Sequence, residues 1–243
     1  MRALVIVPTY NERDNLPVIT EELVAIPDVG VLVVDDRSPD GTGEIADSLA
    51  AARPERIAVV HRTGTRGLGR SYIEGMQHAL LHTDAPLICQ MDADLSHLPS
   101  DLPRLLDAAR HAELVIGSRY VRGGRVVNWP RRRVWLSTFA NSYVRTLTRM
   151  PVHDVTSGFR CWRREMLLRV PLSRLRSDGY AFQVEMTWQA YASGARVVEV
   201  PVTFVERRQG QSKLSARVIV ESVVLPLRLA TRRLPGTRPR CTI

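Results

Sequence analysis

Pro86-Leu87-Ile88-Cys89-Gln90-Met91-Asp92-Ala93-Asp94-Leu95-Ser96-His97 runs from an apolar stretch straight into two carboxylates two residues apart. A short apolar run of this kind reads as a buried strand, and residues two apart on a strand share a face. Both carboxylates therefore leave the strand end together. Neighbouring carboxylates repel, and a hard divalent cation with oxygen ligands relieves that repulsion while keeping positions open for phosphates. The other reading of the same residues is a loop start, with Asp94 capping a helix entered at Pro99.

Outward from this strand the pattern repeats. Apolar runs of strand length at 3–7, 30–34, 57–60 and 114–117 alternate with helical patterns at 16–26, 42–52, 71–81 and around 102–109. Strands and helices alternating at this spacing predict an α/β fold, a mostly parallel sheet with helices on both faces. Ligands of such sheets sit beyond the carboxyl ends of the strands, and the polar clusters of this chain fall there. They are Pro8-Thr9-Tyr10-Asn11-Glu12, Asp35 to Thr42, Arg66-Gly67-Leu68-Gly69 and the Asp-x-Asp. In the third, backbone can approach a ligand and a helix N-terminus is expected to face it. It lacks the Lys-Ser or Lys-Thr ending of a phosphate loop.

After residue 120 the pattern changes. Residues 131–150 have helical spacing, with Trp135, Leu136, Phe139, Tyr143 and Leu147 on one side and arginines elsewhere, and 197–205 reads as one strand. Residues 214–234 are apolar and basic, interrupted by Glu221 and Pro226. They read as an amphipathic helix, either in a membrane interface with its arginines toward headgroups or packed on the sheet. Residues 235–243 are expected to be a flexible basic tail.

Charge divides the chain as sharply as the pattern does. Residues 1–119 carry a net −7 and residues 120–243 a net +16, with Lys213 the only lysine. The basic part calls for an anionic partner: nucleic acid, a phosphate-bearing ligand or an anionic membrane. Aromatic residues make up only 6% and no nucleic-acid motif is present, which argues against nucleic acid. Three scattered cysteines, Cys89, Cys161 and Cys241, form no metal spacing and predict no disulfide framework. With no secretory leader and no apolar stretch near the roughly 20 residues that span a bilayer, a cytosolic or peripheral protein is expected.

In this order and spacing the motifs resemble glycosyltransferase family 2, and within it the polyprenol-phosphate (dolichyl-phosphate) mannosyltransferases. The resemblance rests on the three clusters at Val7–Glu12, Val34–Thr42 and Met91–His97. Further along it rests on Gly117-Ser118-Arg119-Tyr120, the stretch Asp154 to Arg160, the stretch Gly179 to Glu185, and Phe204 to Lys213. It implies a GT-A fold over residues 1–213, with 1–119 as the donor and metal side and 120–213 as the acceptor side. By the same resemblance Pro8, Tyr10, Glu12, Asp35 and Asp36 match donor-nucleotide positions, and Asp92, Ala93 and Asp94 match donor diphosphate positions. Asp92 and Asp94 also match the metal site for Mg²⁺ or Mn²⁺. Arg207 and Lys213 match donor-phosphate positions, Arg119 and Arg133 acceptor-phosphate positions, and Asp94, Arg119 and Arg133 carry the catalysis. Ser96, Gln183 and Glu185 are expected neighbours of the site.

The resemblance implies transfer of mannose from GDP-mannose to a polyprenyl phosphate, metal-dependent and inverting. It also implies peripheral attachment to the cytoplasmic face of a membrane, with a separate membrane-anchoring protein as a further partner. The alternatives are a polyprenol-phosphate glucosyltransferase using UDP-glucose and a non-catalytic nucleotide-sugar-binding subunit. The chemistry is coherent on its own terms. A phosphate monoester acceptor, with a second pKa of about 6, needs no strong general base, and no Ser/His/Asp arrangement is present.

Overall fold

A computed structural model describes residues 1–175, 177, 179–206 and 216–231. Seven strands form one sheet: β1 (Ala3–Thr9), β2 (Val29–Asp35), β3 (Ile57–His61), β4 (Leu87–Gln90), β5 (Leu114–Ser118), β7 (Arg160–Arg163) and β8 (Val197–Pro201). Their order is β3-β2-β1-β4-β7-β5-β8, and β7 alone runs antiparallel to its neighbours. A second, two-stranded parallel sheet pairs β6 (Arg125–Val127) with β9 (Thr203–Val205).

Strand periodicity divides the core in two. Leu4, Ile6, Leu32, Val34, Ile88 and Ile116 point to one face; Val5, Val7, Val31, Val33, Cys89 and Val115 point to the other. The first face is covered by α3 (Leu68–His82) and α7 (Gly179–Ala192), the second by α1 (Leu16–Val24), α2 (Thr42–Ala52) and α4 (Leu102–Ala108). Helix α3 lies so close to the sheet that a Cβ on Gly75 would sit 2.6 Å from Ile6 and 2.9 Å from Val34. Pro8 is tolerated in a central strand because the β1–β4 ladder ends at Ile6, leaving no partner for the missing N–H.

Several features depart from the sequence reading. Strand β7 and helix α7 carry no pattern that marked them in advance, because β7 is buried except at Arg163, residues 181–188 of α7 are buried on every side, and neither shows polar alternation. The single strand expected over 197–205 breaks at Val202, whose N–H bonds to Ser118 O; β8 stays on β5 while β9 leaves to pair with β6. On α5 (Arg131–Thr148) the expected apolar side is not core. Trp135, Leu136 and Phe139 are 70, 61 and 57% exposed, and the helix instead buries Asn141, Val144 and Thr148.

The basic half spends part of its charge internally. Arg160 is fully buried and donates to the carbonyls of Ser157, Val155 and Gln183 and to Thr187 Oγ1; burial pulls its pKa down, against the pull of Asp154 and Tyr72. Arg163 and Arg164 cap helix C-termini, donating to Ala109 O and Leu80 O. Cys89 and Cys161 face each other across β4 and β7, both buried and free. A thiol hydrogen bond to Cys161, reinforced by burial, pushes the Cys89 pKa up.

Helix α8 (Ala216–Ala230) packs on α5 and α7, with Leu229 buried and the Tyr143 hydroxyl donating to Val223 O, while Val223 and Leu227 face outward. Among the described residues no helix is long and apolar enough to cross a membrane. Arg207, Lys213 and the tail at 235–243 lie outside the described residues.

Candidate active site

Four strand ends deliver the polar clusters to one edge. The turn after β1 is tied to the turn after β2: Asp36 N–H donates to Thr9 O at 2.9 Å, Asn11 N–H to Ser38 Oγ at 3.1 Å, and Glu12 N–H to Thr42 Oγ1 at 3.0 Å. Asp35 is the anchor of this arrangement. Its buried carboxylate accepts from Thr9 Oγ1, Ser38 Oγ and Ser38 N–H at 3.1, 2.6 and 3.1 Å. Asp36 is also buried, accepting from Arg62 Nη1 at 2.5 Å and from Gly67 N–H at 2.9 Å. The Gly67 N–H expected to face a ligand is therefore spent on Asp36. Tyr10 is half-buried; its hydroxyl meets Arg66 Nη1 at 2.6 Å, and the Arg66 guanidinium lies 4.4 Å above the ring. Glu12, also half-buried, accepts from Asn15 Nδ2 at 2.8 Å.

The carboxylate pair follows β4. Leu95 adopts a left-handed φ of 59°, which turns the chain back so that Ser96 N–H donates to Asp94 Oδ1 at 3.1 Å. Ala93 between the carboxylates is buried in the core. Tyr72, from the buried face of α3, donates its hydroxyl to Asp92 Oδ1 at 2.7 Å; burial and the Asp92 charge push the phenol well above its ordinary pKa. Gly158 approaches from the other side, where a Cβ would lie 3.1 Å from Asp92 Oδ2. His97 Nε2 stands 3.9 Å from the same oxygen. Burial, with the Arg119 cation assisting, pushes the His97 pKa down to about 4 against the pull of Asp94, Asp154 and Asp101. His97 is therefore neutral near pH 7.

Arg119 is buried and forks onto Asp154, Nε to Oδ2 at 2.7 Å and Nη2 to Oδ1 at 2.6 Å, with Nη2 also reaching Thr156 Oγ1 at 2.8 Å. Burial works against its charge, but Asp154 more than offsets this and raises its pKa. Arg133, in the first turn of α5, is half-exposed and donates to Glu206 Oε1 at 3.0 Å. Phe204 joins the two groups of residues: its ring lies 5.0 Å from His97 and 5.2 Å from the Arg119 guanidinium.

The expected neighbours divide. Ser96 is buried beside the carboxylates, and its Oγ has no hydrogen-bond partner among the described residues. Gln183 lies deeper, 3.5 Å from Gln90 Nε2, while Gln90 Oε1 accepts from Trp162 Nε1 at 2.8 Å. Glu185 is buried on α7 with Oε2 unpartnered among the described residues. Sequence reasoning missed Arg62, Tyr72 and the anchoring roles of Asp154 and Glu206. Asp154 was visible within a motif, whereas Tyr72 carries no local signal because its partner lies 20 positions away.

Among the described residues no three His, Cys, Asp or Glu side chains gather into a metal site. Two carboxylates at a strand end nevertheless fit a hard cation whose remaining positions go to phosphate oxygens.

Comparison with known proteins agrees with this geometry. The family model described as glycosyl transferase family 2 matches residues 4–170. The chain is 52% identical over 224 residues to the polyprenol monophosphomannose synthase of Mycolicibacterium smegmatis, covering 91% of this chain and 84% of that protein. It is 48% identical over 225 residues to the undecaprenyl-phosphate mannosyltransferase of Micrococcus luteus, covering 92% of each. Among solved structures, glucosyl-3-phosphoglycerate synthase from Mycobacterium tuberculosis superposes with a TM-score of 0.67 at 18% identity, covering 92% of this chain and 79% of that one. That likeness establishes the GT-A-type α/β fold. Strand-end carboxylates, adjoining arginines and close relatives along nearly the whole chain lead to one placement: the chain belongs to glycosyl transferase family 2, among its polyprenyl-phosphate mannosyltransferases.

Proposed function

We propose that this protein transfers mannose from GDP-mannose to a polyprenyl phosphate at a membrane surface, giving a β-linked polyprenyl phosphate mannose. The observation that carries the reading is the chain of contacts that links Asp92 to Arg119 through His97 and Phe204, with Arg133 joined to Phe204 through Trp129. One side suits a nucleoside diphosphate leaving group, the other a phosphate nucleophile. The relatives' names carry the mannose and the polyprenyl phosphate.

Tyr10, Glu12 and the turns anchored by Asp35 and Asp36 would receive the nucleotide. Asp92 and Asp94 would hold Mg²⁺ or Mn²⁺, which when bound neutralises charge on the diphosphate. One neighbour of the same fold has been solved with Mn²⁺ and UDP. Arg119 and Arg133 would orient the acceptor phosphate. One of its oxygens bonds to C1 of the sugar as the bond from C1 to the diphosphate oxygen breaks, and the electron pair leaves with GDP. A single displacement inverts the anomeric carbon. No residue needs to take a proton, because the acceptor is already ionised above a pKa of about 6, and neutral, buried His97 is placed to pack the site. Positioning and electrostatics supply the rate.

The acceptor stays in lipid, so the enzyme must come to a surface. Helix α5 carries Arg133 toward the site and Trp135, Leu136 and Phe139 toward solvent, with Trp135 and Phe139 stacked at 5.8 Å. Arg131 and Arg132 are exposed at its start. An apolar face beside basic residues suits an anionic bilayer surface, and α8 adds Val223 and Leu227 beside it. A separate membrane-anchoring protein remains a compatible partner.

The deciding assay offers radiolabelled GDP-mannose or UDP-glucose to the full chain with a polyprenyl phosphate. Label entering lipid from GDP-mannose is the expected result. Label only from UDP-glucose would make the protein a glucosyltransferase, and label from neither would sink the catalytic reading.

A further inference from the structure

Trp129 stands at the junction of β6 and α5, just before Pro130 at the helix start. Two guanidiniums share its indole: Arg133 Cζ lies 3.9 Å from the ring centroid and Arg119 Cζ 5.6 Å. Phe204 meets the same ring edge-on at 5.2 Å. Two cations so placed repel, and the electron-rich face of an indole is the side chain best suited to hold both. Each arginine also has a carboxylate, but the two pairs differ. Asp154 is buried and holds Arg119 in a fork, whereas Glu206 is half-exposed and touches Arg133 through Nη1 at 3.0 Å. Arg133 can therefore exchange Glu206 for another anion while staying on the ring. Trp129 Nε1 is itself buried with no hydrogen-bond partner among the described residues.

We propose that Trp129 is a positioning residue: it sets the separation of the Arg119 and Arg133 guanidiniums and through them the recognition of the acceptor's phosphate. This rests on the acceptor reading given under Proposed function. Asp154 already fixes Arg119, and the rigid ring beside it holds the freer Arg133 head at a set distance, removing freedom that would otherwise be lost on binding a phosphate. An aliphatic residue of similar bulk would fill the space without holding the charges.

The test uses the full chain in detergent with GDP-mannose and a short-chain polyprenyl phosphate. It measures KM for each substrate and calorimetric binding of the lipid phosphate. Trp129→Leu should raise the acceptor KM about tenfold or more, leave the donor KM within about twofold, and weaken calorimetric binding in parallel. Trp129→Phe keeps a ring and should raise it no more than about threefold. In an Arg133→Met background, Trp129→Leu should add little further, because one of the two guanidiniums whose separation it sets is gone. Equal effects on both KM values, or full additivity with Arg133→Met, would overturn the proposal. Should Trp129→Leu fail to fold, Trp129→Met takes its place as the variant without a ring, and an unchanged acceptor KM there overturns the proposal as well. A wild-type chain that transfers no sugar sinks the function reading. If that chain also binds no lipid phosphate, this inference falls with it.

Discussion

The Tyr72 hydroxyl donates to Asp92 Oδ1 at 2.7 Å from a side chain with no solvent exposure, stacked 6.1 Å from Phe182 at an interplanar angle of 3°. The first carboxylate of the Asp-x-Asp is thus aimed from beneath by a helix packed on the sheet, with Gly158 closing the opposite side.

Tyr72→Phe removes this hydrogen bond while keeping the ring. A hydrogen bond to a charged group contributes about 1.5–3 kcal/mol, so turnover at fixed Mn²⁺ should fall roughly tenfold as Asp92 loses its orientation. A calorimetric Mn²⁺ titration should show weaker binding alongside a melting temperature lowered by only a few degrees. Unchanged Mn²⁺ affinity would mean that the phenol supports packing and nothing more.

Asp94 is expected to matter more, since it would hold the cation directly. Asp94→Ala should lower turnover on the order of 10²-fold or more. Chelator should abolish wild-type activity and Mg²⁺ or Mn²⁺ restore it. A variant that keeps full turnover in chelator would contradict the metal role.

Asp154→Ala tests the buried pair. It strands the Arg119 guanidinium without its fork of hydrogen bonds, and breaking a buried pair in this way costs about 3–5 kcal/mol. Urea unfolding should show that loss, with Asp154→Asn intermediate. A loss below about 1 kcal/mol would place the pair with ordinary surface contacts.

Membrane attachment has its own readout. A large apolar side chain moved out of water contributes about 1.5–3 kcal/mol, and each basic residue near an anionic surface about 1 kcal/mol. Trp135→Ser combined with Phe139→Ser should therefore reduce co-sedimentation with anionic liposomes at least about tenfold, and salt should weaken the wild type. Deleting residues 214–243 should also reduce binding and hurt long-chain acceptors more than short ones. Liposome binding that survives the double substitution would move the docking face from α5 to another part of the chain.

The strands and helices of the first 119 residues were legible because each is half or fully apolar at a definite period and bounded by turn residues. Helix α2 falls at Thr42–Ala52, the limits its pattern gave. Helix α5 was legible as a helix but not by its facing, since an apolar stripe looks the same whether it meets a core or a lipid surface. The amphipathic reading of residues 214–234 left packing and membrane contact open. In the structure α8 has a share of each geometry, Leu229 inward and Val223 and Leu227 outward.

By itself the sequence determined the α/β architecture, the placing of the Asp-x-Asp at a strand end and the family, because all three follow from local period and from motif order. Only the tertiary structure decided what each polar residue is bonded to. Asp35 and Asp36 are consumed by Thr9, Ser38, Arg62 and Gly67, Arg119 is locked to Asp154, and Arg133 shares an indole with it. These partners lie up to 35 positions apart along the chain in the first three cases. Such pairings are set when the sheet brings its strand ends to one edge, and the physical reason they escape the sequence is that a buried charge takes whichever counter-charge the packing supplies.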